Sequence, residues 1–101
     1  MTKESEELFK IGRQLRQSLR SSGYILFVDD DPSIAHVCTG LIESCGVEVK
    51  WVSSRCSAIE QIKEDYENIQ CAVIDLHLCD GDGQDIVTLI ETDFQSLPYI
   101  V

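Results

Sequence analysis

No apolar run in this sequence approaches the ~20 residues that a membrane-spanning helix needs. The longest are the five residues Tyr24–Val28 and the four residues 71–74. The opening decapeptide MTKESEELFK mixes charges from the start and has no apolar core, which argues against a secretory signal. Five cysteines occur, an odd number with no C-x-x-C pair, so neither a disulfide framework nor a zinc ribbon is indicated. The expectation is reduced, mostly buried thiols in a cytoplasmic protein. There is no internal repeat and no low-complexity tract. Basic residues are scarce: 8 Lys and Arg face 18 Asp and Glu, for a formal charge of −10. So acidic a chain repels nucleic acid and suits cations or basic partners.

The charge that is present is unevenly spread. Residues 1–22 carry five basic and three acidic side chains, whereas residues 23–101 carry three basic and fifteen acidic ones. The first segment reads as an amphipathic helix and linker. Leu8, Ile11, Leu15 and Leu19 recur at three- and four-residue steps over residues 4–20, with Glu early and Arg late as the helix dipole favours. Ser21-Ser22-Gly23 then stops it.

From Tyr24 the pattern alternates between short apolar runs and helical periodicity. Tyr24–Val28 reads as a strand buried on both faces. Asp31-Pro32 reads as a helix cap with proline at the first helical position. Ile34, Val37, Cys38, Leu41, Ile42 and Cys45 are expected to share the inner face of that helix, closed by Gly46. A β-branched and aromatic run over residues 47–52 predicts a second strand, which places Trp51 away from the acids. Ser54 is expected to cap a helix over 55–66, with Ala58, Ile59 and Ile62 facing inward. A third buried strand over 71–76 contains Asp75. A glycine- and aspartate-rich loop over 77–83, a helix over 84–91 and a fourth strand starting at residue 97 complete the pattern. This alternation predicts an α/β protein, a doubly wound parallel sheet.

In such sheets ligands bind beyond the carboxyl ends of the strands. Two strands here run into acid, Val28 into Asp29-Asp30-Asp31 and Ile74 into Asp75. If those strands are neighbours, the carboxylates converge and repel, and a hard divalent cation such as Mg²⁺ relieves the repulsion. Asp31 is most simply a helix cap, and Asp80, Asp82 and Asp85 most simply serve turns and the next helix. Asp75 directly follows Cys-Ala-Val-Ile, where a charge is costly unless something binds it. A metal-assisted carboxylate of this kind can act as a nucleophile.

Ile25-Leu26-Phe27-Val28-Asp29-Asp30-Asp31-Pro32 is similar to the opening of response-regulator receiver domains in two-component signalling. Residues 72–83, AVIDLHLCDGDG, resemble their phosphorylation-site segment. The resemblance covers about 78 of the 101 residues. It implies a flavodoxin-like receiver fold of strand order 2-1-3-4 over residues 23–101, preceded by the extra helix of residues 1–22. Val101 comes before the Ser or Thr to which the family's fourth strand leads, before the fifth strand that ends in the switch Lys, and before the last helix. The resemblance implies Asp75 as phospho-acceptor and also as a Mg²⁺ ligand, with Asp30 binding the ion directly and Asp29 beside it. The backbone carbonyl of His77 would be a further ligand, and Gly83 the glycine that lets the loop turn into the following helix. Cys79 departs from the proline most often found there.

The expected function is phosphorelay: a histidine kinase or phosphotransfer protein donates a phosphoryl group to Asp75, which then controls a partner or output domain. It is not a turnover enzyme. The alternative is a receiver-like interaction or dimerisation module that works without phosphorylation, pairing through the N-terminal helix or an open sheet edge. A Mg²⁺-dependent hydrolase with an aspartyl nucleophile is the third reading, weakened because His77 stands where its general acid is expected. Neither nucleic acid nor a membrane is an expected partner.

Overall fold

The computed structural model describes residues 23–101; the expected helix over residues 4–20 lies outside the described residues. Strand β1 (Tyr24–Val28) occupies the middle of a parallel sheet because both of its faces are apolar, and Ile25 and Leu26 are fully buried on opposite sides. Helix α1 (Pro32–Glu43) leads to β2 (Val49–Val52), which pairs with β1 from Ile25↔Val49 to Val28↔Val52. Helix α2 (Arg55–Asp65), capped by Ser54 Oγ accepting from Ser57 N at 3.1 Å, leads through a turn at Tyr66–Asn68 to β3 (Ile69–Ile74). β3 pairs with the other side of β1 and ends in register with it, Val28↔Ile74.

A two-stranded antiparallel hairpin follows, β4 (His77–Leu78) and β5 (Gly81–Asp82), then helix α3 (Gln84–Asp93) and β6 (Tyr99–Ile100). The main sheet has the order β2-β1-β3-β6, the 2-1-3-4 order expected when its four strands are counted in sequence. The hairpin was not expected from the sequence, which reads as an irregular loop there. Residues 69 and 70 also belong to β3 although the apolar run begins at 71, and β3 ends at Ile74 so that Asp75 lies just past it.

Alternation along the strands sends side chains into two cores. Leu26, Val28, Ala72 and Ile74 meet Ala58 and Ile62 of α2 and Ile86 and Ile90 of α3 on one face. Ile25, Phe27 and Cys71 meet α1 on the other. The inner stripe of α1 is narrower than its spacing predicts. Ala35, Cys38 and Ile42 are buried, but Ile34 and Val37 are 48% and 57% exposed. At about 100° per residue, a helix seated on its small Ala35 turns positions 34 and 37 toward the rim. The cysteines depart from expectation too: Cys38 and Cys71 are buried, Cys45 is half-buried, and Cys56 and Cys79 are exposed.

At the amino end of the sheet Tyr24 Oη donates to Asp65 Oδ2 at 2.7 Å and accepts from Gln61 Nε2 at 2.6 Å. Burial, and then the Asp65 hydrogen bond, push the Tyr24 phenol up to about 12. An unfolded tyrosine titrates near 10, roughly. The folded state therefore holds the proton more tightly, and this stabilisation is complete below about pH 10 and lost as pH rises toward about 12. Tyr24→Phe is expected to cost about 1 kcal/mol at neutral pH and to flatten the alkaline decline. Urea denaturation across that pH range measures both effects, and an unchanged alkaline slope would contradict the assignment.

Candidate functional site

The register Val28↔Ile74 delivers two acids side by side. Asp29 leaves the end of β1 and Asp75 the end of β3, and Asp75 N donates to Val28 O at 2.9 Å. Asp30 completes the group: one carboxylate oxygen from each of Asp29, Asp30 and Asp75 lies within 4.8 Å of the others. Asp29 is 8% exposed, the one buried charged residue among those described. Its burial, together with the negative charges of Asp75, Asp30 and Asp31, pushes its carboxyl above the usual value against the opposing hydrogen bond from Asp31 N. A carboxylate held at such a cost is stabilised by any cation that neutralises the cluster, and three carboxylates are a hard-oxygen donor set suited to Mg²⁺.

Asp31 stands outside the cluster. Its Oδ1 accepts from Ser33 N at 2.9 Å and Ile34 N at 3.4 Å, capping α1 as the sequence suggests. His77 lies in β4 and its backbone N–H donates to Asp75 Oδ1 at 3.0 Å, which orients the carboxylate. Gly83 is buried against the same segment: a Cβ there would come within 2.3 Å of Asp75 O and 2.8 Å of Leu76 Cα. Its φ is not positive. What the position requires is therefore space beside the Asp75 backbone rather than freedom to turn.

Two residues have a larger part here than the sequence suggested. Trp51 is not remote, because its Nε1 donates to the backbone carbonyl of Asp29 at 2.7 Å. Asp80 reaches beyond its own turn, because its carboxylate accepts from the backbone N–H groups of Arg55 and Cys56 in α2. Parallel pairing of β1 and β2 would have allowed the first to be foreseen, since it sets Phe27 beside Trp51. The second joins residues 25 apart in sequence, and no local pattern announces it.

An apolar groove of about 520 Å³ opens beside the acids on the α1 face, lined among others by Phe27, Ile34, Cys38, Val73 and Val101. No described helix is long and apolar enough to cross a membrane.

Residues 25–101 match the model of the response regulator receiver domain. No curated protein matches the chain. Among solved structures, the non-phosphorylated HemR receiver domain from Leptospira biflexa is 26% identical, with 76% of this chain and 60% of that one covered and a TM-score of 0.69. The MaeR response regulator bound to beryllium trifluoride is 25% identical, covering 77% of this chain and 64% of that one, at a TM-score of 0.69. The signal receiver domain of a LuxO repressor protein from Vibrio parahaemolyticus, at 22% identity and a TM-score of 0.70 over 77% of this chain and 58% of that one, speaks for the fold alone. The chain thus spans less than two thirds of the length of each of these three.

Proposed function

The chain belongs to the response regulator receiver domain family, and we propose that its acid cluster is a phospho-acceptor site centred on Asp75. The observation that carries this reading is the convergence of Asp29, Asp30 and Asp75 at two adjacent strand ends, with one of the three buried. A carboxylate oxygen of Asp75 attacks the phosphorus of a phosphohistidine on a histidine kinase or phosphotransfer protein. The new O–P bond forms as the N–P bond breaks, and the imidazole leaves with its electron pair. The His77 N–H fixes the rotamer of Asp75, and the end-on register of β1 and β3 fixes its distance from Asp29. Asp29, Asp30 and Asp75, with the His77 carbonyl, would hold the Mg²⁺. When bound, the ion neutralises charge developing on the phosphoryl oxygens.

The beryllium trifluoride carried by the MaeR response regulator supports the same reading, as a small fluoride complex with the shape of a phosphoryl group. Receiver domains are signalling modules rather than turnover enzymes, and here the outcome of transfer is control of a partner or output domain. The test is incubation with acetyl phosphate and Mg²⁺ followed by intact-mass measurement. One added phosphoryl group, absent when EDTA is present, is the expected result. A folded, Mg²⁺-loaded chain that stays unmodified would favour the phosphorylation-independent interaction module.

Mg²⁺ is also expected to raise the melting temperature, and the increment should shrink as pH falls. Protons and cation compete for the same oxygens. Because the Asp29 carboxyl sits above its usual value, the loss should begin at a higher pH than for an ordinary aspartate. Thermal melts with and without Mg²⁺ at neutral and acid pH measure it, and a pH-independent increment would place the ion elsewhere.

A further inference from the structure

Asp80 sits in the two-residue turn of the β4–β5 hairpin, yet its partners are on α2. Oδ1 accepts from Arg55 N at 2.7 Å and Oδ2 from Cys56 N at 3.0 Å. These are first-turn N–H groups, which have no carbonyl partner within their own helix. They hold the Asp80 carboxyl below the usual range, the Cys56 N–H most of all. Ser54 serves a different amide, Ser57 N, so the start of α2 is capped once locally and once from the loop after Asp75. Arg55 closes the junction from the other side. Its guanidinium reaches Asp85 of α3 at 3.2 Å, and its Nε packs so closely on Gly81 that a Cβ there would come within 2.7 Å.

The same hairpin is tied directly to the acceptor. Leu78 pairs with Gly81 and His77 with Asp82, His77 N donates to Asp75 Oδ1, and Gly83 N donates to Leu76 O at 2.9 Å. The hairpin thus bonds to the Asp75 carboxylate at its start and to the first turn of α2 at its turn, the two joined by the backbone of residues 77–80.

We propose that Asp80 is a positioning residue that couples occupancy of the Asp29–Asp30–Asp75 cluster to the order of the first turn of α2, through its paired hydrogen bonds to Arg55 N and Cys56 N. The proposal rests on the reading of that cluster as a Mg²⁺ and phospho-acceptor site. Coupling of this kind is reciprocal: if Mg²⁺ tightens the α2 cap, loss of the cap weakens Mg²⁺ by the same factor.

The test uses the full chain, with Mg²⁺ alone as the probe and amide resonances and hydrogen exchange as the readouts. In the parent, Mg²⁺ should shift the amides around Asp29, Asp30 and Asp75 and slow exchange at Arg55 and Cys56 by about fivefold. In Asp80→Ala those two amides should exchange about fivefold faster without Mg²⁺ and no longer respond to it, and Mg²⁺ affinity should fall by the factor seen in the parent. Asp80→Asn, which keeps one accepting oxygen, should fall between the two. Ser54→Ala, which strips the local cap, should speed exchange in α2 but leave Mg²⁺ affinity unchanged.

Several results would overturn the coupling. One is parental Mg²⁺ affinity in Asp80→Ala, and another is an equal loss in Ser54→Ala, which would mean that any fraying of α2 suffices. A third is Mg²⁺ binding at the cluster with no change at Arg55 and Cys56. If Mg²⁺ fails to move the cluster amides of the parent, the reading of the cluster itself falls, and the coupling falls with it.

Discussion

Asp75→Asn is expected to abolish labelling by acetyl phosphate while leaving the protein at least as stable as its parent. The amide has no anionic oxygen to attack phosphorus; Asp29 is buried with its Oδ1 engaged by Asp31 N, and Asp30 is assigned to the cation in the proposed site. The stability half follows from the charges. Removing the Asp75 carboxylate takes away one of the repulsions that push the Asp29 carboxyl up, so without Mg²⁺ the melting temperature should hold or rise. The combination separates lost chemistry from lost fold. Equal labelling of parent and variant, read by intact mass, would refute the acceptor assignment outright.

Gly83→Ala should do the opposite, keeping the nucleophile and damaging its platform. The added methyl would meet Asp75 O, Leu76 Cα and Asp75 C at 2.3, 2.8 and 3.1 Å, all backbone atoms that no rotamer change can move aside. The position itself has helical geometry, φ −60° and ψ −17°, so alanine carries no conformational penalty there and would ordinarily favour the following helix. Overpacking of this kind costs about 1–3 kcal/mol, which outweighs the fraction of a kcal/mol gained in helix propensity. The relief has to come from the segment bearing Asp75, so labelling should also slow even in the folded fraction. Urea denaturation gives the first quantity and the rate of mass gain the second. A variant with parental values for both would mean that the close approach is not maintained in solution.

Much of this was legible from the residues. The four strands of the main sheet announce themselves as short apolar or β-branched runs, and Asp31-Pro32 and Ser54 mark the starts of α1 and α2 as written. Asp29, Asp30 and Asp75 could be grouped because a parallel sheet sends its carboxyl ends to one edge, and the Val28↔Ile74 register does so. What stayed hidden depends on contacts that sequence order does not encode. The apolar stripe of α1 gives six candidate inner positions, but which of them the sheet covers is decided by how closely Ala35 lets the helix approach. The hairpin after Asp75 has no alternating pattern, being two residues on each side of a turn, and Asp80 finds its partners 24 and 25 positions away. The purpose of Gly83 was misread for the same reason: a glycine that makes room looks identical in sequence to one that bends the chain.

Trp51 gives the acid site an optical handle. It is the sole tryptophan of the chain, the residue is 41% exposed, and its indole N–H is bound to the carbonyl of the very residue whose side chain is buried in the cluster. A small shift of Asp29 alters that hydrogen bond directly, and indole emission is sensitive to the polarity and bonding of its N–H. Unlabelled protein in a stopped-flow fluorimeter should therefore register the proposed cation binding and phosphoryl transfer in real time, with no second tryptophan to dilute the signal.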